Sequence, residues 1–136
     1  MAVLGVDYGS RKIGLAKSDD REKFALPLDV YRYSGLVDAV DHIKQLCVSE
    51  AITTVVVGAP VAMQQTARTN EQLQAAEVER FIQTLRQNLS VPVVPFDERL
   101  TTKMAQQLLR GQGAGLSDDA VAAMIILQGY LDTHQK

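Results

Sequence analysis

AVLGVDYGSRKIGLAKS, Ala2 to Ser18, is the stretch that decides the fold. Ala2 to Tyr8 is nearly all apolar, the composition of a strand covered on both faces near the middle of a sheet. Gly9-Ser10 turns the chain. Beyond it Lys12, Gly14, Ala16 and Ser18 alternate with Ile13, Leu15 and Lys17, which is strand period. The two runs predict a hairpin. Its first strand closes on an acid, Asp7, beside Gly9, which permits a tight turn. Acids are rare next to so apolar a run, because an unpaired charge loses its hydration there.

Outward from the hairpin, Ala25 to Tyr33 reads as a third strand, and Pro27 assigns it to a strand start or a sheet edge. Leu36, Val37, Val40, Ile43, Leu46 and Cys47 follow helix spacing. Ile52 to Gly58, ITTVVVG, carries three consecutive valines without alternation, as a parallel strand covered on both faces does. Gly58 to Arg68 is polar and irregular, hence a loop. Thr69 to Leu89 is a long helix with Leu73, Ala76, Phe81, Ile82 and Leu85 facing in. Val91 to Asp97 is a last strand, an edge one because Pro92 and Pro95 lack donors. Thr101 or Thr102 caps a short helix to Arg110, and GQGAG, Gly111 to Gly115, breaks the chain. Ser117 caps a final helix with Asp118 and Asp119 in its first turn, and Ala120, Ala123, Met124, Leu127 and Leu131 form its buried stripe.

Three antiparallel strands followed by right-handed helical crossovers predict an α/β fold. Its mixed five-stranded sheet has order 3-2-1-4-5, with strand 2 antiparallel and helices on its faces. Residues 1–136 are read as a single domain, a size one core can fill. Ligands in such sheets sit beyond the carboxyl ends of the strands, where Asp7 emerges.

Composition narrows the function classes. The chain is 46% hydrophobic and 22% charged, ordinary for a globular protein. With a net charge of -2 it has no general attraction for polyanions, so nucleic acid needs a local basic patch. Arg11, Lys12 and Lys17 form one candidate, and Arg99, Lys103 and Arg110 another. Cys47 is the only cysteine, so no intrachain disulfide forms; it is read as an inert buried thiol. No apolar run is long enough to span a membrane, and the N-terminus lacks the basic region of a secretory signal. These features predict a cytoplasmic protein without membrane contact. His42 and His134 are read as surface residues, and no Cys/His cluster suits zinc.

Three acids close or open apolar segments: Asp7, Glu98 after VPVVPF, and Asp119 before AVAAMIIL. Each has a plainer reading: a turn acid for Asp7, a partner of Arg99 or a solvated loop for Glu98, a helix-start acid for Asp119. Asp97 and Asp118 compete with their neighbours. Tyr8 is either a core ring or a platform for a base. Three acids together, on a topology able to converge them, point to a divalent cation. Two carboxylates about 4 Å apart repel by ~4 kcal/mol at an effective dielectric of 20, and a hard cation reverses that balance.

GVDYGSRKIGLAKSD (Gly5 to Asp19), VVGAP (Val56 to Pro60), DERLTT (Asp97 to Thr102) and DAVAAMIILQGYLD (Asp119 to Asp132) resemble, in order, the motifs of the YqgF/RuvX family. The resemblance covers essentially the whole chain. It implies a ribonuclease H-like fold related to the resolvase RuvC, and a nuclease assigned to 5′-end processing of pre-16S ribosomal RNA in ribosome biogenesis. By this resemblance Asp7, Glu98 and Asp119 are the catalytic and metal-ligating acids for Mg²⁺ or Mn²⁺. Two-ion phosphodiester hydrolysis leaving a 5′-phosphate is then expected. Arg11, Lys12, Arg99 and Lys103 are the residues expected on substrate phosphates, with pre-rRNA favoured over branched DNA. Two segments depart from the family pattern. Val61 to Thr66 reads VAMQQT without the usual glycine, and the segment before the last acid, which usually carries lysines, reads GAGLS; both bear on substrate grip.

Three other readings are open. A Holliday junction resolvase would act as a homodimer to cut two strands. A non-catalytic nucleic-acid-binding module of transcription or ribosome assembly fits the acidic charge, but it would gain nothing from mutually repelling acids. The run from Asp7 is also similar to the phosphate loop of the sugar kinase and actin superfamily, which needs two domains and a second glycine-rich motif.

Overall fold

The computed structural model describes residues 2–59, 70–97 and 118–134. Its elements are β1 (Ala2–Tyr8), β2 (Lys12–Ser18), β3 (Ala25–Arg32), α1 (Leu36–Ser49), β4 (Ile52–Ala59), α2 (Asn70–Asn88), β5 (Val93–Asp97) and α3 (Asp118–His134). The strands form one five-stranded sheet of order β3-β2-β1-β4-β5, as expected. The loop from 60 to 68, the helix expected up to Arg110, the GAGLS segment and Ser117 lie outside the described residues.

β1 is central because both its faces are apolar. It pairs antiparallel with β2, setting Asp7 opposite Gly14, and parallel with β4, setting Val6 opposite Val57. Between Ala2 and Val3 the register with β4 shifts, and the buried Ser18 Oγ accepts the Val3 N–H at 2.8 Å. The prolines mark the edges, as the sequence predicts. Among the described residues β3 pairs only with β2, with a register shift beside Pro27, and β5 pairs only with β4. β5 begins at Val93 rather than Val91; Pro92 contributes only its carbonyl, which accepts the Val55 N–H at 2.9 Å.

Strand alternation sorts the core into two layers. Leu4, Val6, Ile13, Leu15, Val55, Val57 and Val93 face α1 and α2, where Ile43, Phe81, Ile82 and Leu85 are fully buried. Val3, Ala16, Val56 and Phe96 face α3. Ala76 is exposed, contrary to expectation: the inward stripe of α2 is Ala75, Val78, Phe81, Ile82 and Leu85. Spacings of three and four residues fix that stripe, and alanine is too small to mark a face by itself. The side chain of Leu73 is outside the described set.

α3 buries the expected Ala120, Ala123, Met124, Leu127 and Leu131, and Val121, Ile125 and Ile126 as well. It crosses the whole sheet. Gln128 accepts the Ala25 N–H of β3 at 2.9 Å, and Tyr130 meets Phe96 of β5 edge-on at 6.3 Å. Among the described residues, no helix is long and apolar enough to cross a membrane.

Candidate active site

The parallel strands β1, β4 and β5 end together, at Tyr8, Ala59 and Asp97. Asp7 lies at this end of the central strand. By the alternation that turns Val3 toward α3, Asp7 is on the α3 face.

α3 approaches that spot more closely than side chains would allow. A Cβ built on Gly5 would stand 2.6 Å from the Leu127 Cβ and 3.0 Å from the Ala123 carbonyl. A Cβ on Gly14 would run into the Asp119 carbonyl. Gly14 is the cross-strand partner of Asp7. The first turn of α3, carrying Asp119, is therefore seated on the backbone beside Asp7. Sequence reasoning missed both glycines; the available signal was a glycine inside a strand, which marks a close backbone approach.

The turn between β1 and β2 is tied down from β3. The Gly9 N–H donates to the Lys12 carbonyl at 3.0 Å, Tyr33 Oη donates to the Gly9 carbonyl, and the Tyr33 N–H donates to the Arg11 carbonyl at 3.2 Å. Burial, with the Tyr8 hydroxyl adding to it, pushes the Tyr33 phenol far above its ordinary range, so it remains a donor at working pH. Tyr8 stacks on Tyr33 at 5.4 Å and on Phe81 at 4.1 Å. It is a core ring beneath the site, not a platform for a base.

The basic residues divide. Arg11 is exposed on the turn. Lys12 Nζ lies 3.0 Å from Asp119 Oδ2, with the two side chains 44% and 30% exposed. An ion pair this open to solvent is worth less than about 1 kcal/mol. Lys17 leaves the expected patch: it points to the α1 side and donates to Glu50 Oε1 at 2.7 Å. His42 is not the surface residue expected. It is half-buried, stacked on Tyr31 at 3.7 Å, with Nε2 3.4 Å from Asp29 Oδ2. His134 is exposed, as expected. Cys47 is half-buried on α1, and burial raises its thiol pKa, which keeps it protonated and inert.

Asp97 ends β5 one residue after Phe96, which faces α3, so alternation directs it to the opposite face. Glu98 follows in sequence and, with Arg99 and Lys103, lies outside the described residues; so does the side chain of Asp118. Among the described residues no group of three His, Cys, Asp or Glu converges as a metal site. Of the three expected acids, Asp7 and Asp119 lie among the described residues. Their hard carboxylate oxygens suit Mg²⁺ or Mn²⁺. The Asp119 carboxylate already carries a cationic partner, the Lys12 ammonium.

A model of the RuvX family, described as Holliday junction resolvase, matches residues 1–133. A curated relative from Chloroflexus aggregans, named "Putative pre-16S rRNA nuclease", is 40% identical over 98% of this chain and 94% of its own. One of the same name from Chlorobaculum tepidum is 31% identical over 97% of this chain and 94% of its own. Among solved structures, Thermus thermophilus RuvC in complex with a Holliday junction substrate superposes with a TM-score of 0.66 at 18% identity. It covers 98% of this chain and 96% of that one. The fowlpox virus resolvase with Holliday junction DNA superposes with a TM-score of 0.60 at 11% identity, covering both chains in full. These two likenesses establish the ribonuclease H-like fold.

Proposed function

We propose, from the premise that this chain belongs to the RuvX family, that it is a metal-dependent nuclease trimming the 5′ end of pre-16S ribosomal RNA. Membership makes it a nuclease, a hydrolase of phosphodiester bonds. The observation that carries the mechanistic reading is the seating of Asp119 on Gly14, the strand partner of Asp7. The first turn of α3, which carries Asp119, lies against the strand partner of Asp7 at the carboxyl end of the central strand, and this supports a shared role for the two acids.

Asp7, Asp119 and Glu98 are the residues that would hold the cations, with Asp7 between the other two. Bound Mg²⁺ or Mn²⁺ supplies charge neutralisation at the phosphate and water of lowered pKa. The chain's own groups do the rest. Gly5 and Gly14 let α3 bring Asp119 close, and the tied turn fixes Asp7 and presents Arg11 to a phosphate. Lys12, Arg99 and Lys103 complete the proposed contacts to substrate phosphates. The reading includes a cytoplasmic location, where pre-rRNA is found.

A side-by-side cleavage assay tests it: purified protein, Mg²⁺ or Mn²⁺, a pre-16S leader RNA and a four-way DNA junction. Metal-dependent trimming of the RNA is expected. Symmetric cutting of the junction by a dimer would favour the resolvase reading, which the family description supports. Tight binding with no cleavage of either substrate would favour the binding module.

A further inference from the structure

Lys12 holds a position that the proposed chemistry requires to be vacated. Its ammonium sits 3.0 Å from Asp119 Oδ2, an oxygen proposed to hold a cation. The two partners differ in freedom. Asp119 lies in the first turn of α3 with its main chain pressed on Gly14, so its short side chain has little reach. The Lys12 backbone is fixed by the Gly9 turn, but its ammonium rides on a flexible four-carbon stem and is 44% exposed. If one partner moves, it is the ammonium.

We propose that Lys12 is a tethered counter-ion: it occupies Asp119 in the metal-free protein and yields that oxygen to the divalent cation. The displaced ammonium, still anchored beside the site, is then available to a substrate phosphate. Metal binding thereby frees a phosphate contact, which orders the steps as metal first and substrate second. This deepens the nuclease reading and rests on it.

The test measures metal binding. Mn²⁺ is titrated calorimetrically into the full chain as wild type, Lys12→Gln, Arg11→Gln and Asp119→Asn, each checked for folding by circular dichroism. Lys12→Gln should bind Mn²⁺ about two- to fivefold more tightly than wild type, the worth of releasing one exposed ion pair. Arg11→Gln, which removes a neighbouring charge not paired with Asp119, should shift affinity less. In the wild type, the Lys12 ammonium should give a hydrogen-bonded proton–nitrogen NMR signal in cold, mildly acidic buffer, and lose it when Mg²⁺ saturates the protein.

Unchanged or weaker binding by Lys12→Gln overturns the proposal. So do equal shifts from Lys12→Gln and Arg11→Gln, or an ammonium signal that survives Mg²⁺. Each leaves the nuclease reading intact provided Asp119→Asn still weakens binding. Wild type and Asp119→Asn binding Mn²⁺ alike, or neither binding it, would instead sink the metal site and this inference with it.

Discussion

At the scale of the residue, the account depends on small groups in tight places. Asp7→Asn and Asp119→Asn should fold as wild type yet lose metal-dependent cleavage at least about 100-fold. Even outer-shell partners of a metal cost about 10–100-fold, and a direct ligand costs no less. Turnover measured beside the thermal unfolding midpoint checks this. Gly14→Ala makes a different prediction: its methyl would strike the Asp119 carbonyl, so α3 must lift. A loss of about 1–3 kcal/mol in urea unfolding is expected, together with reduced activity. The acids were legible in the sequence because a charge beside an apolar run is conspicuous. The Lys12–Asp119 pair was not, since it exists only once α3 lies across β2. His42 was misread because stacking on Tyr31 depends on how α1 docks against β3.

At the scale of the element, the start of α1 has a pH signature. Asp38 in its first turn accepts from Tyr31 Oη at 2.7 Å and from the Ser34 N–H at 2.8 Å. These bonds, the Tyr31 one foremost, hold its carboxyl below the ordinary value of 3.8. A depressed folded-state pKa gives stability that is present above the unfolded value and lost as pH falls through the folded one. Asp38→Asn should therefore flatten the acid limb of stability below about pH 4 and leave the neutral region parallel to wild type; the alkaline limb should change as well, because the bond to Asp38 also raises the Tyr31 phenol pKa. Urea unfolding across pH checks it. Phe81, fully buried beneath Tyr8, is the main ring of α2. Phe81→Ala should cost about 3–5 kcal/mol. Most strands and helices could be read directly, because long apolar runs and prolines constrain them strongly. The errors fell where a residue fits two environments: Ala76 on α2, and Val91 before a proline that lends only its carbonyl.

At the scale of the whole molecule, the sheet order followed from three antiparallel strands and two parallel crossovers, which leave few alternatives. How α3 meets the sheet did not follow, because it depends on Gly5 and Gly14, where the missing side chains decide the approach. A chain of net charge -2 must grip nucleic acid locally. Four basic residues, Arg11, Lys12, Arg99 and Lys103, carry that role in the proposal. With about 0.9 counterions released per phosphate contact on a duplex, affinity should fall with salt at a log–log slope no steeper than about -4. Fluorescence anisotropy in inactivating Ca²⁺ buffer would show it; a much steeper slope would mean a wider basic surface than proposed.

The central claim is that acids from separate stretches of the chain hold divalent cations at the end of β1. Anomalous diffraction from crystals soaked in Mn²⁺ tests it most directly. The account predicts manganese in contact with carboxylate oxygens of both Asp7 and Asp119, with Lys12 turned away from Asp119. Manganese bound elsewhere, with that end of the sheet empty at saturating metal, would contradict it.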